Sequence, residues 1–162
     1  MTRSQKASYL LTLLLFGIGL GLPFVTPFVS LGWRMLIMNA YHPLCHQLAS
    51  RSFAFNHIQF AVCHRCTGIY VGIFSANLLY LVLHPYHLIW WKYAKICLGL
   101  AALPLVLDWG LDALGWWSNT PESRFVSGLI LGLVVGYYAA YGVGQMLWEL
   151  LRIYIEPKPL KT

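Results

Sequence analysis

Four long apolar runs punctuate the chain, at about residues 9–29, 66–83, 94–111 and 125–148. At roughly 20 residues apiece, each can cross the hydrocarbon core of a bilayer as a helix. None shows the every-other-residue alternation of a half-buried strand, and an open sheet edge cannot sit in lipid. Arg3 and Lys6 ahead of the first run resemble the start of a secretory signal. That run has no small-x-small cleavage site and carries Pro23 and Pro27, so it reads as a retained helix. The expected fold is all-α: a polytopic membrane protein built as a four-transmembrane-helix bundle.

The polar and apolar pattern between the first two runs is different. Residues 31–65 are too apolar for a solvated loop and too broken to span. Trp33, Met35, Leu36, Ile37 and Met38 come first, followed by Phe53, Phe55, Ile58, Phe60, Ala61 and Val62. A re-entrant or interfacial hairpin fits, with its turn at His42-Pro43-Leu44-Cys45-His46, because such backbone survives at depth only where protein or water satisfies it. Trp90, Trp91, Trp109, Trp116 and Trp117 fall near the predicted interfaces, as anchors do. Small residues recur every fourth position in the last run (Gly128, Gly132, Gly136, Ala140, Gly144) and in the second (Gly68, Gly72, Ala76). This spacing predicts a packing seam, either inside the bundle or between copies through Gly128, Gly132 and Gly136.

Composition agrees with a membrane protein. Of the 162 residues 59% are apolar and only 10% charged, where a soluble domain carries roughly a quarter charged. No composition shift or repeat divides residues 1–162, so one membrane domain is expected, ending in the short polar tail Glu156-Pro157-Lys158-Pro159. Arg3, Lys6, Lys92, Lys95, Arg152, Lys158 and Lys161 hold 7 of the 11 basic residues. The positive-inside rule then puts both termini and the second connection in the cytoplasm, and the first and third connections outside the cytoplasmic (inner) membrane. This bias and anionic lipid account for the net charge of +6, so nucleic acid need not be invoked.

The residues able to carry chemistry crowd the first connection. Cys45-His46-Gln47 is followed by Cys63-His64-Arg65-Cys66-Thr67-Gly68. Cys66 opens the second helix, where unpaired backbone N–H groups and the adjacent Arg65 favour a thiolate. Cys45, Cys63, Cys66 and one histidine would make a Cys3His tetrahedral site for zinc or iron. His46 is favoured as the fourth ligand because it adjoins Cys45, while His64 lies inside the C-x-x-C loop. A haem-attachment motif is absent, because Thr67 follows Cys66. A structural disulfide is the bland alternative, though it leaves one of three outer thiols over. Cys97, mid-span, reads as a small buried apolar residue.

Asp108 and Asp112 share one face at the outer end of the third helix. Asp108 lies in apolar sequence, where a carboxylate needs a partner. Arg124 opens the fourth helix on that side, so an Asp108–Arg124 pair is one reading. The other joins Asp108, Arg124 and Arg51 to the Cys/His site, the acid relaying protons and the arginines holding an anionic group. His84 and His87 flank the cytoplasmic turn, and Asn77 is expected to bond a neighbouring helix.

The elements Cys45-His46-Gln47, Arg51-Ser52-Phe53 and Cys63-x-Arg65-Cys66-Thr67-Gly68-Ile69-Tyr70-x-Gly72, with the later Asp108, Arg124, Gly128 and Gly132, resemble the signature of the domain of unknown function 2085 family. The resemblance implies a small integral membrane protein of four helices with its site at these residues. It implies no substrate. Three functional classes follow from the residues. One is a metal site serving membrane-embedded chemistry or metal handling. The second is a thiol–disulfide site exchanging electrons with a lipid-soluble carrier. The third is a non-catalytic subunit whose cysteines brace a loop within a larger membrane complex. Nucleotide-binding glycine loops, Ser–His–Asp arrangements and HExxH motifs are absent.

Overall fold

A computed structural model of the chain describes residues 3–83 and 91–155. His84, His87, Trp90 and the tail from Glu156 onward lie outside the described residues. Helix α1 (Arg3–Gly21) runs into a 3₁₀ stretch, Leu22–Phe28. The change of helix type follows from Pro23, which has no N–H to offer the Gly19 carbonyl four residues back. The hydroxyl of Tyr41 donates to that freed carbonyl instead. Arg34 closes the far end of the stretch, donating from Nε to the Thr26 carbonyl (3.2 Å) and from Nη2 to that of Val29 (3.5 Å).

The connection that follows is not two matched arms around residues 42–46. Its first part is helix α2 (Leu31–Tyr41), and its second is an antiparallel ribbon, β1 (Ser52–Phe55) and β2 (Ile58–Cys63). Asn56 and His57 both have positive φ, 48° and 62°, as in the tight two-residue turns that match strand twist. The all-α expectation therefore gives way to a mostly helical chain with one two-stranded sheet. The physical cause is visible in the residues: Phe53 and Phe55, then Ile58, Phe60 and Val62, alternate with period two.

Helix α3 (His64–Leu83) follows β2 without a break, then α4 (Ala94–Ala113) and the long α5 (Pro121–Ile155). Thr120 and Ser123 exchange backbone-to-hydroxyl bonds of 3.1 and 3.2 Å ahead of α5, and Pro121 takes its first position, a helix start suited to both residue types. The segments Lys6–Phe28, Ala94–Ala113 and Pro121–Ile153 are long and apolar enough to cross a membrane.

The glycine seam lies inside the chain. A Cβ on Gly68 or Gly72 would collide with the backbone of Phe125, Leu129 and Leu133 on α5. One on Gly128, Gly132 or Gly136 would collide with Arg65, Ile69 and Ile73 on α3. The two backbones touch, as small residues at four-residue spacing permit. Since α3 already covers these glycines, they do not offer a face for self-association. Towards the other end, Tyr9, Ala76, Tyr80, Tyr137 and Ala140 form a buried cluster, and the Tyr9 hydroxyl donates to the Asn77 carbonyl (2.8 Å). The Asn77 side chain turns back to the Ile73 carbonyl of its own helix (2.9 Å) rather than across to a neighbour.

Candidate functional site

Cys45 is carried past the end of α2, where the Leu44 and Cys45 amides both donate to the Tyr41 carbonyl at 3.0 Å. Cys63 ends β2 and Cys66 sits in the first turn of α3. These three elements bring the three sulfurs within 4.8 Å of one another. The Cys63 amide donates to the Cys45 sulfur at 3.2 Å. Cys45 is buried, Cys63 and Cys66 half-buried, and all three thiols are free. Ile37, Tyr41, Ala61 and Val62 form the apolar floor, with Phe24, Met38 and Tyr70 packed around it.

Side-chain hydrogen bonds with Cys45, then with Cys66, hold the Cys63 thiol far below its ordinary pKa. The hydrogen bonds with Cys45, then with Cys63, raise the Cys66 thiol instead of favouring the thiolate expected at its helix start, whereas a metal ligand requires the thiolate form. Tetrahedral metal–sulfur bonds of about 2.3 Å set sulfurs roughly 3.8 Å apart, which the observed limit accommodates. Three sulfur ligands would leave a fourth tetrahedral position to be filled from elsewhere.

His46 does not fill it. Its side chain is exposed and lies outside the three-sulfur group. Two covalent neighbours in a turn project in different directions, so adjacency to Cys45 did not bring the ring to the sulfurs. His64 is buried against Phe53, ring centroids 4.3 Å apart, and is also outside the group. Burial, helped by the charge of Arg124, lowers its pKa, so the ring is neutral at pH 7.

Asp108 pairs with Arg65, not with Arg124. Arg65 Nη2 meets Asp108 Oδ2 at 2.5 Å, with both side chains largely buried. Arg65 sits between the two cysteines of the C-x-x-C loop, so the pair ties that loop to α4. Its positive charge is compensated by the carboxylate. Ser123 donates to the other carboxylate oxygen (2.7 Å), and Asn119 reaches both the Asp108 carbonyl and Oδ2 at 3.3 Å. Arg124 Nε donates to the Asn119 side-chain oxygen (2.5 Å), one step removed from Asp108. Arg51 lies 3.9 Å from Asp112 with half its side chain exposed, a geometry worth little by itself.

Gln47 has a role that composition and spacing did not disclose. Its amide nitrogen donates to the Met38 carbonyl (2.8 Å) and the Ala61 carbonyl (2.9 Å), while Gln59 donates to its backbone carbonyl at 3.2 Å. Gln47 also has positive φ, 50°. The side chain staples the Cys45 turn to both α2 and β2, holding one sulfur over the other two. The signal available in the sequence was its place in the Cys45-His46-Gln47 element, two residues from a cysteine in an apolar segment.

Apolar helices of membrane-crossing length, with a cysteine cluster where a connection enters a helix, define a helical membrane protein with a sulfur-rich site. The chain belongs to the domain of unknown function 2085 family, described as predicted membrane proteins, whose profile matches residues 45–138. It is 32% identical over 144 residues to an uncharacterised protein of Methanocaldococcus jannaschii, covering 83% of this chain and 91% of the relative. A protein of Methanothermobacter thermautotrophicus is 33% identical over 101 residues, covering 60% and 86% respectively. No solved structure matches the chain.

Proposed function

We propose that this protein binds one zinc or iron ion through Cys45, Cys63 and Cys66 and presents the ion's fourth position to a ligand or substrate at the outer face of the cytoplasmic membrane. The observation that supports this reading is the approach of three sulfurs from three separate elements to within 4.8 Å. Bracing a loop needs two cysteines at most, and thiolate ligands are well suited to zinc and iron. Such an ion would supply Lewis acidity or metal transfer.

In this reading α3 is a fourth span beside the three already described, both termini are cytoplasmic, and residues 31–63 rest at the outer interface. The acid Asp108 fixes the C-x-x-C loop through Arg65. An anionic substrate would draw Arg124 from Asn119 and Arg51 from Asp112. Elemental analysis of protein purified without chelators, beside a Cys63→Ser variant, tests the reading. The expected result is near one metal per chain, lost in the variant. A wild type that stays metal-free after incubation with zinc and with ferrous iron would overturn it.

The same proximity of free thiols supports a second reading, thiol–disulfide exchange. It requires Cys63 to form a reversible disulfide with Cys45 or Cys66, which mass spectrometry after mild oxidation detects.

A further inference from the structure

Two cavities adjoin the sulfur site on its α1 side. One, of about 460 Å³, lies between α1, the end of α2 and α3 and includes Phe16, Gly19, Tyr41, Leu44 and Tyr70 in its wall. The other, of about 240 Å³, lies between α1 and α3 and includes Phe24, Tyr70 and Phe74. Leu20 and Tyr70 line both, so the two spaces share a partition. Their walls continue into the site. Leu44 precedes Cys45, and Tyr70 lies one helical turn beyond Cys66 on the same face of α3. Tyr41, Tyr70 and Phe24 pack in one cluster with all three cysteines.

The chemistry of these walls narrows the occupant. Among the described residues no charged side chain lines either cavity, which suits a neutral group. Among the described residues, Phe16, Tyr41 and Tyr70 line the larger space and Phe24, Tyr70 and Phe74 the smaller, which suits a flat ring better than a saturated chain. The Tyr41 hydroxyl is engaged by the Gly19 carbonyl, whereas that of Tyr70 makes no hydrogen bond among the described residues. Tyr70 is half-buried and its hydroxyl is accessible rather than enclosed, so a bound group can reach it. A carbonyl on the bound ring would accept its hydrogen bond. Leu15 and Leu44, both more than half exposed, stand at the rim of the larger cavity, where a substituent chain can pass into the bilayer.

We infer that the paired cavities at Tyr70 bind the ring of a lipid-soluble quinone beside the three-cysteine site, with a ring carbonyl accepting a hydrogen bond from the Tyr70 hydroxyl. The inference gives the proposed site a ligand class, but it stands on the cavities and does not need the metal.

The test uses the full-length protein in lipid nanodiscs and a decyl benzoquinone with no free ring position, so that thiols do not add to the ring. Quenching of intrinsic fluorescence is followed as quinone is added, with metal content measured on the same samples. Saturable quenching is expected in the wild type. Tyr70→Phe weakens it roughly three- to tenfold, the worth of one hydrogen bond. Gly19→Leu fills the larger cavity, since a Cβ at Gly19 meets nothing within 4 Å, and abolishes the saturable component. Wild-type quenching that rises without saturation, as from quinone dissolved in bulk lipid, overturns the inference. So does saturable quenching that both variants leave unchanged. Saturable quenching in a metal-free protein sustains the cavity site while removing the metal reading; a metal-loaded protein without saturation does the reverse.

Discussion

Helices α3 and α4 are each 20 residues long, apolar, and packed against α5, yet they are held in opposite ways. Along α3, glycines let its backbone meet that of α5 from Gly68 to Gly136, and Ala76, Asn77 and Tyr80 are buried. Along α4 the buried position is Ala101, while Ile96, Leu100, Leu103 and Leu107 are more than half exposed. What α4 has instead is charge at one end: Asp108 on Arg65 and Asp112 facing Arg51. In lipid, apolar side chains gain nothing by leaving acyl chains for one another, so close backbone contact and polar pairing are what hold helices together. The first device fixes α3 along its length. The second pins α4 at the end that faces the sulfur site.

The sharpest way to break this contrast is Gly132→Leu. Its side chain would be driven into the Ile69 backbone, and helix separation is the only relief. We expect a loss of about 3 kcal/mol or more, read as a shifted unfolding midpoint in mild detergent. A wild-type midpoint would show that the seam does not hold the bundle. Asp108→Asn comes next. It strands the Arg65 guanidinium without its counter-charge while keeping an oxygen near Ser123, for a cost of about 2–3 kcal/mol. Its signature is specificity: an Asp108→Asn, Arg65→Gln double variant should recover part of the loss, and strictly additive effects would mean that the pair is not coupled. The smallest effect is expected at Leu100→Ala on the exposed face of α4, below about 0.5 kcal/mol. A large loss there would mean that α4 is covered by a protein partner rather than by lipid.

Much of this architecture was legible because one physical rule dominates it. Long apolar runs in a chain with few charges must be helical, and four-residue spacing of Gly68, Gly72, Gly128, Gly132 and Gly136 foretold close packing. The ribbon at 52–63 was obscured because its residues were weighed by hydrophobicity, while Phe53, Phe55, Ile58, Phe60 and Val62 carried their information in alternation. At the site, the three cysteines could be singled out because thiols are conspicuous among apolar residues. The fate of the polar residues could not be. Which arginine met Asp108 depended on the packing angle of α3 against α4 and α5, and the direction of His46 on the dihedrals of a turn. Neither is encoded in spacing. Gln47 was overlooked for a related reason: an amide's function is decided by the carbonyls it reaches, and those lie nine and fourteen residues away.

The close contact at Gly128 also bears on how the molecule is made. The cysteine-bearing connection and α3 leave the ribosome well before α5, yet the carbonyl of Arg65, inside the C-x-x-C loop, rests against Gly128 in the second turn of that last helix. During synthesis the start of α3 therefore waits, with Gly68 and Gly72 uncovered, until α5 has been made. The sulfur-bearing turn acquires its backing only then. Maturation of the site is accordingly a late event in biogenesis, coupled to completion of α5 rather than to translation of the cysteines themselves.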